Sequence, residues 1–346
     1  MNKAITKSLE NIYEPIISRY RFFFKNSLPQ GSYLFVGPKN AGKNFIVSLF
    51  SKILLCNNQS TTDCNCSDCS DIENYNHSDV VYIEVGGLCD LNDSKHKDHS
   101  KDGSRYIRIC QIKRLNRLSN LSPNRSNIKV FIINNLKYLN IESANALLKT
   151  LEDAPISSVF LLLADETESV PDTISSRCQI ITVNPMKKKQ LEAFLIDNYS
   201  TNKNFAHDLS VISRNRIERA IFLYENNEAI DILKDYYNDF HKLLISDINF
   251  RFDYADKLFT IFRKDNEIFF EILFCWEDWL RWHLYVKFEQ SNTPSFFINN
   301  YNLELFQIVQ GLNALNALKN DASKSINTHI SIEVLMIDLP FINKNI

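Results

Sequence analysis

The first half of the chain alternates short, continuous apolar runs with segments of helical period. Tyr33-Leu34-Phe35-Val36, Lys129-Val130-Phe131-Ile132-Ile133 and Val159-Phe160-Leu161-Leu162-Leu163 are short and lack polar alternation, so each reads as a strand covered on both faces. A helix from about Asn44 to Leu55 follows the first of them. Such strands alternating with helices predict a parallel sheet sandwiched between helices. From about Pro185 the strand signals stop. Lys187 to Asn198, Ala206 to Ser213 and Ile217 to Glu225 read as short helices, and the chain from Ala229 onward as longer ones. The stretch from Gly86 to Arg105 is rich in Asp, Lys, Ser and His and has no period, which marks a solvated surface insertion. Its His96 and His99 have no second ligand pair at sensible spacing. The expected organisation is an α/β domain over 1–184, a small helical domain over 185–228 and an all-helical domain over 229–346, with no internal repeat.

Composition adds limits. A chain of 346 residues with 45% hydrophobic content has apolar material for two or three cores. A formal net charge of -2 gives no global attraction to nucleic acid or to an anionic membrane, so any such contact must come from a local patch. No apolar run approaches the roughly 18 to 20 residues of a membrane helix, and the polar start Met1-Asn2-Lys3 lacks a secretory segment. A cytoplasmic location is expected. In that reducing compartment the eight cysteines are poor disulfide candidates, and the crowding of four of them between Cys56 and Cys69 points to metal.

Directly after the first strand stands Gly37-Pro38-Lys39-Asn40-Ala41-Gly42-Lys43-Asn44, opening into a helix. Glycines let backbone N–H groups curl around phosphate oxygens, the helix N-terminus adds its dipole, and Lys43 can reach terminal phosphates. The strand before and the helix after supply the context of a P-loop. Its eighth position ordinarily carries a Ser or Thr hydroxyl for Mg²⁺; here it is Asn44, a poorer and bulkier ligand. The other half of an ATPase site is an apolar strand ending in two acids, which assist the metal and the attacking water. Here Val130 to Ile133 ends in Asn134-Asn135. Amides at all three metal and water positions imply that hydrolysis is absent and leave open whether ATP or ADP binds.

Cys56, Cys64, Cys66 and Cys69 lie at the end of the helix that follows the P-loop. Tetrahedral zinc takes four thiolates and would lock a loop too polar to build its own core. Four thiolates leave no open coordination position, so the expected role is structural. Cys89, Cys110, Cys178 and Cys275 stand apart and read as ordinary buried thiols.

Three further stretches, Asn145-Ala146-Leu147-Leu148-Lys149-Thr150-Leu151-Glu152-Asp153-Ala154-Pro155, the strand Val159 to Leu163, and Ile174-Ser175-Ser176-Arg177-Cys178, closely resemble bacterial sliding-clamp loader subunits. The cysteine cluster, His77-Ser78-Asp79 before a strand, and Ile109-Cys110-Gln111-Ile112 follow the same family in order. The resemblance is strong over about residues 30 to 185 and general beyond, where Asn327-Thr328-His329 and Ile330 to Leu335 look like the end of the family's helical collar. It implies an AAA+ P-loop domain, a helical lid (185–228) and an all-α collar (229–346). It also implies a place in a hetero-pentamer that loads the sliding clamp onto primed DNA for DNA polymerase III.

In such complexes the gamma or tau motors hydrolyse ATP and delta-prime does not. Loss of the hydroxyl and both acids makes the resemblance closest to delta-prime, with gamma or tau as the alternative. It further implies that Arg177 serves as an arginine finger on ATP held by a neighbouring subunit. The chain departs from the pattern in three places. The Cys64–Cys66 gap is one residue shorter than usual. Ala164-Asp165-Glu166 replaces the motors' sensor threonine. Asn215-Arg216-Ile217-Glu218-Arg219-Ala220 leaves the lid's sensor arginine open between Arg216, Arg219 and none. Trp276, Trp279 and Trp282 recur at three-residue spacing, which reads as helix packing before it reads as a platform for stacking bases. Lys187-Lys188-Lys189 reads as a solvated helix start.

Overall fold

The structure, a computed structural model, describes residues 3–26, 31–56, 64, 66–89, 106–166, 170–290, 292–297, 303–324 and 327–342. Most of the insertion expected over 86–105, His96 and His99 included, lies outside the described residues. Two compact units emerge: Met1–Ser200 with Asn215–Glu218, and Thr201–Arg214 with Arg219–Ile346.

The first unit holds five parallel strands, β1 (Gly31–Val36), β2 (Val80–Glu84), β3 (Lys129–Asn134), β4 (Ser158–Ala164) and β5 (Cys178–Thr182), in the order β2-β3-β4-β1-β5. Every residue of β4 is buried, as a central strand covered on both faces requires. Helices α1 (Lys3–Asn26), α2 (Lys43–Leu55), α3 (Ser67–Glu73), α4 (Ile109–Ser119), α5 (Ile141–Glu152), α6 (Asp172–Ser175) and α7 (Lys188–Tyr199) surround the sheet.

The two-residue period of β1 divides its side chains between two cores. Leu34 and Val36 join Phe131, Ile133, Phe160 and Leu162 on the face that also buries Ile112, Leu147 and Ile174. Tyr33 and Phe35 point the other way, where Phe50 of α2 lies 5.0 Å from both the Phe35 and the Tyr20 ring, centroid to centroid. The register places Val36 opposite Ala164 and Asn134 opposite Leu163. The residues following β1, β3 and β4 therefore emerge side by side at the carboxyl edge, where open α/β sheets hold ligands.

The second unit is helical: α8 (Lys203–Ile212), most of α9 (Ile217–Glu225), α10 (Asn227–Ile245), α11 (Ile248–Lys264), α12 (Asn266–Lys287), α13 (Leu305–Ser323) and α14 (Thr328–Asp338). Trp276, Trp279 and Trp282 are all buried on α12, and the Trp276 ring stacks on Phe240 at 5.1 Å. Packing accounts for this stripe, and no face is left for stacking bases. Buried Arg251 donates to the carbonyls of Leu243, Met336, Leu339 and Pro340, satisfying acceptors at the C-terminal ends of α10 and α14 that would otherwise be orphaned.

Among the elements not expected from the sequence, two extend the first unit at its edges. Helix α1 precedes the sheet despite Pro15 in its interior, and β5 extends the sheet beside β1.

Candidate functional site

The loop from Gly37 to Gly42 leaves β1 at the carboxyl edge and enters α2. Gly42 has φ 107°, a left-handed conformation that disfavours a side chain, and a Cβ there would fall 1.9 Å from the Tyr13 hydroxyl. A Cβ on Gly37 would fall 2.0 Å from the Val183 carbonyl oxygen. Both glycines are thus required by the surrounding chain. Lys43, almost fully buried, folds back on the loop: its Nζ donates to the Gly37 carbonyl at 2.5 Å, to that of Pro38 at 2.9 Å, and to Asp165 Oδ1 at 2.9 Å. Asp165 Oδ2 also lies 3.5 Å from Lys137.

Asn134 ends β3 exposed, and Asn135 is buried with its side-chain oxygen accepting from Lys137 N–H at 3.2 Å. Lys43, Asn44, Asn134, Asn135, Asp165 and Glu218 line one cleft of about 270 Å³, which brings together the residues read from the sequence as P-loop and acidic-pair positions. The lid motif contributes to it a residue of opposite sign to the arginine sought there. Glu218 Oε1 accepts from Asn44 N–H at 3.1 Å, while Arg219 pairs with Glu271 in the helical unit. Burial raises the Glu218 pKa above the usual carboxylate value, against the lowering effect of the Asn44 amide and Lys43.

The four cysteine sulfurs lie within 4.8 Å of one another, with Cys56 Sγ 3.5 Å from Cys64 and 3.7 Å from Cys66. A tetrahedral ion with metal–sulfur bonds of about 2.3 Å separates its ligands by about 3.8 Å, so the donor set fits. Cys56 caps α2, Cys66 caps α3 and its sulfur accepts from Cys69 N–H at 3.4 Å. Burial, together with hydrogen bonds to Cys66 and Cys56, holds the Cys69 thiol well above its ordinary pKa, and a dication is the chemical means of releasing such a proton. This cluster can hold a metal ion.

Beside it, His77 and Asp79 tie the cysteine module to the sheet. Asp79 N–H donates to His77 Nδ1 at 3.1 Å, and His77 Nε2 faces Asp68 of α3 at 3.5 Å. The Asp79 carboxylate accepts from three successive backbone N–H groups, Asn124 at 2.6 Å, Arg125 at 2.8 Å and Ser126 at 3.0 Å.

Arg177 follows the short α6, some distance in sequence from the other site residues. Its guanidinium meets Glu152 at the end of α5 at 2.5 Å and donates to the Thr173 carbonyl at 2.8 Å, with 40% of the side chain exposed. The pair is a surface one and is worth little on its own. Glu218, Asp165 as the partner of Lys43, and Tyr13 behind the loop are the site residues that sequence reasoning did not assign.

A parallel five-stranded sheet with a glycine loop at its carboxyl edge, followed by a helical region, defines an AAA+ P-loop protein. Residues 12–187, half of the chain, match the family model described as DNA polymerase III, delta subunit. The chain belongs to this family of bacterial clamp-loader subunits. It is 28% identical over 198 residues to DNA polymerase III subunit delta' of Bacillus subtilis, covering 57% of this chain and 54% of that one. It is 34% identical over 150 residues to subunit tau of the same organism, covering 43% of this chain and 23% of that one. Subunit gamma of Buchnera aphidicola from Acyrthosiphon pisum is 26% identical over 338 residues, 87% of each chain. The chain thus spans about half of the delta' relative and about a quarter of the tau relative.

Proposed function

We propose that the chain is a non-hydrolysing, delta-prime-like subunit of the DNA polymerase III clamp loader. The observation that carries this reading is the cleft itself: Asn44, Asn134 and Asn135 stand where Mg²⁺ and the attacking water need a hydroxyl and two acids. An amide neither accepts a proton from water nor offers the metal a charge. The chain's role is then assembly with gamma or tau and delta subunits in a cytoplasmic hetero-pentamer that loads the sliding clamp onto primer-template DNA. Arg177 supplies a finger to a neighbour's ATP, and zinc in the Cys56, Cys64, Cys66 and Cys69 cluster holds the module that follows α2. No described helix is long and apolar enough to cross a membrane.

The match to a gamma subunit over 87% of each chain favours a second reading, in which the chain is a motor. An ATPase assay on the purified chain separates the two. The expected result is no turnover above background; turnover that Lys43→Ala abolishes would establish the motor.

A further inference from the structure

Helix α2 starts on Gly42, which has no side chain to cap the free amides of the first turn. The amides are nonetheless engaged. Glu218 Oε1 accepts from Asn44 N–H at 3.1 Å, and the Phe45 N–H acts on the same carboxylate. In a P-loop these helix-start donors are the ones that meet a phosphate. Of the loop's two lysines, Lys39 and Lys43, it is Lys43 that follows the second glycine and reaches terminal phosphates in a P-loop, and it is spent on Asp165 at 2.9 Å and on two loop carbonyls. The amide nest and the lysine therefore both hold carboxylates belonging to the chain.

We propose that Glu218 and Asp165 are built-in anions that fill the phosphate subsite, and that they determine that this loop takes no nucleoside di- or triphosphate. This deepens the proposed absence of hydrolysis, and it rests on the same loop. The segment bearing Glu218 is fixed in place within the first unit. Glu218 N–H donates to the Asn40 carbonyl at 3.2 Å, Met186 N–H donates to the Asn215 carbonyl at 3.0 Å, and buried Ile217 packs towards Gly42. A phosphate entering here must displace one carboxylate from the helix amides and the other from Lys43, and it meets both as like charges. The remaining cleft of about 270 Å³ falls just below the roughly 300 to 1,000 Å³ range of small-molecule sites.

If Glu218 were only a cap for α2, its removal would weaken the helix and admit no ligand. Gain of nucleotide binding is the outcome that separates the two roles. The test is a titration of the full chain with a fluorescent ADP analogue and Mg²⁺, with unlabelled ADP and ATP as competitors. The unmodified chain is expected to show no saturable signal into the millimolar range, Glu218→Ala with Asp165→Asn to bind at least about tenfold more tightly, and added Lys43→Ala to erase the gain. Micromolar binding by the unmodified chain overturns the proposal, and so does a double variant with wild-type circular dichroism and no gain. A double variant that does not fold leaves the decision to the unmodified chain's titration. Binding without turnover sinks the built-in anions alone, whereas turnover sinks the non-hydrolysing reading.

Discussion

Asp79 shows how much one buried side chain can organise. Burial works to raise its pKa, but three backbone N–H groups and His77 prevail and hold it below its ordinary 3.8. A carboxylate with a depressed folded pKa contributes stability that is fully present above its unfolded value and is lost as pH falls through the folded one. Asp79→Asn puts an amide NH₂ against three donors and should cost about 1–3 kcal/mol at neutral pH. The cost should shrink as pH drops below 3.8, because the unfolded chain's carboxyl then takes up a proton and the native one follows only at its lower pKa, whereas the Asn does not titrate. All three tryptophans lie in the helical unit, so their fluorescence does not read this site. Hydrogen exchange of β2 and β3 does. An unchanged gap between variant and parent at acid pH would assign the loss to packing.

The same scale separates what the sequence could show from what it could not. The P-loop glycines, Lys43 and the amides at the end of β3 are legible because strand, loop and helix succeed one another locally. Glu218 meets Asn44 across 174 residues, and a pattern search for an arginine passes over a residue of the opposite charge.

At the scale of elements, central strands were the readable ones. Each is a continuous apolar run, whereas β5 is an edge strand with only Ile181 fully buried, so no such run marks it. Helix α1 does carry its period, since Leu9, Tyr13, Ile17 and Tyr20 form the buried stripe, but Pro15 argues against a helix and masks it. The cysteine cluster was legible from density alone, and the short Cys64–Cys66 gap does not keep the sulfurs apart. With zinc bound, α3 and the end of α2 should form one rigid element, helped by the Lys52–Glu73 pair at 2.7 Å. Metal analysis of folded, chelator-washed protein is expected to find one zinc per chain; much less than one equivalent would count against the assignment. Cys66→Ser should lose the metal and speed hydrogen exchange in α3, while β3 and β4 keep their protection.

For the whole molecule, the family match ends at residue 187, and the helical unit beyond it is where general resemblance takes over from specific motifs. On the proposed non-hydrolysing reading, what the chain contributes to its assembly sits at its surface, and Arg177 is the residue proposed for that role. Its pairing with Glu152 is exposed on both sides, so a neighbour's phosphates can compete for the guanidinium with little lost from this chain. A guanidinium placed on the transferring phosphoryl group in trans is worth about 10³ to 10⁵ in rate in related phosphoryl transfers. Arg177→Ala should therefore fold, retain its place in a reconstituted complex, and lower that complex's DNA-stimulated ATPase by silencing one active site. Arg177→Lys should rescue little, because a point charge does not reproduce the planar fork. Glu152→Ala supplies the control, since it breaks the ion pair while leaving the guanidinium free, and it should leave the ATPase intact. An Arg177→Ala complex that hydrolyses ATP and loads clamps at the unmodified rate would return Arg177 to its ion pair, as a residue that ties the end of α5 to α6.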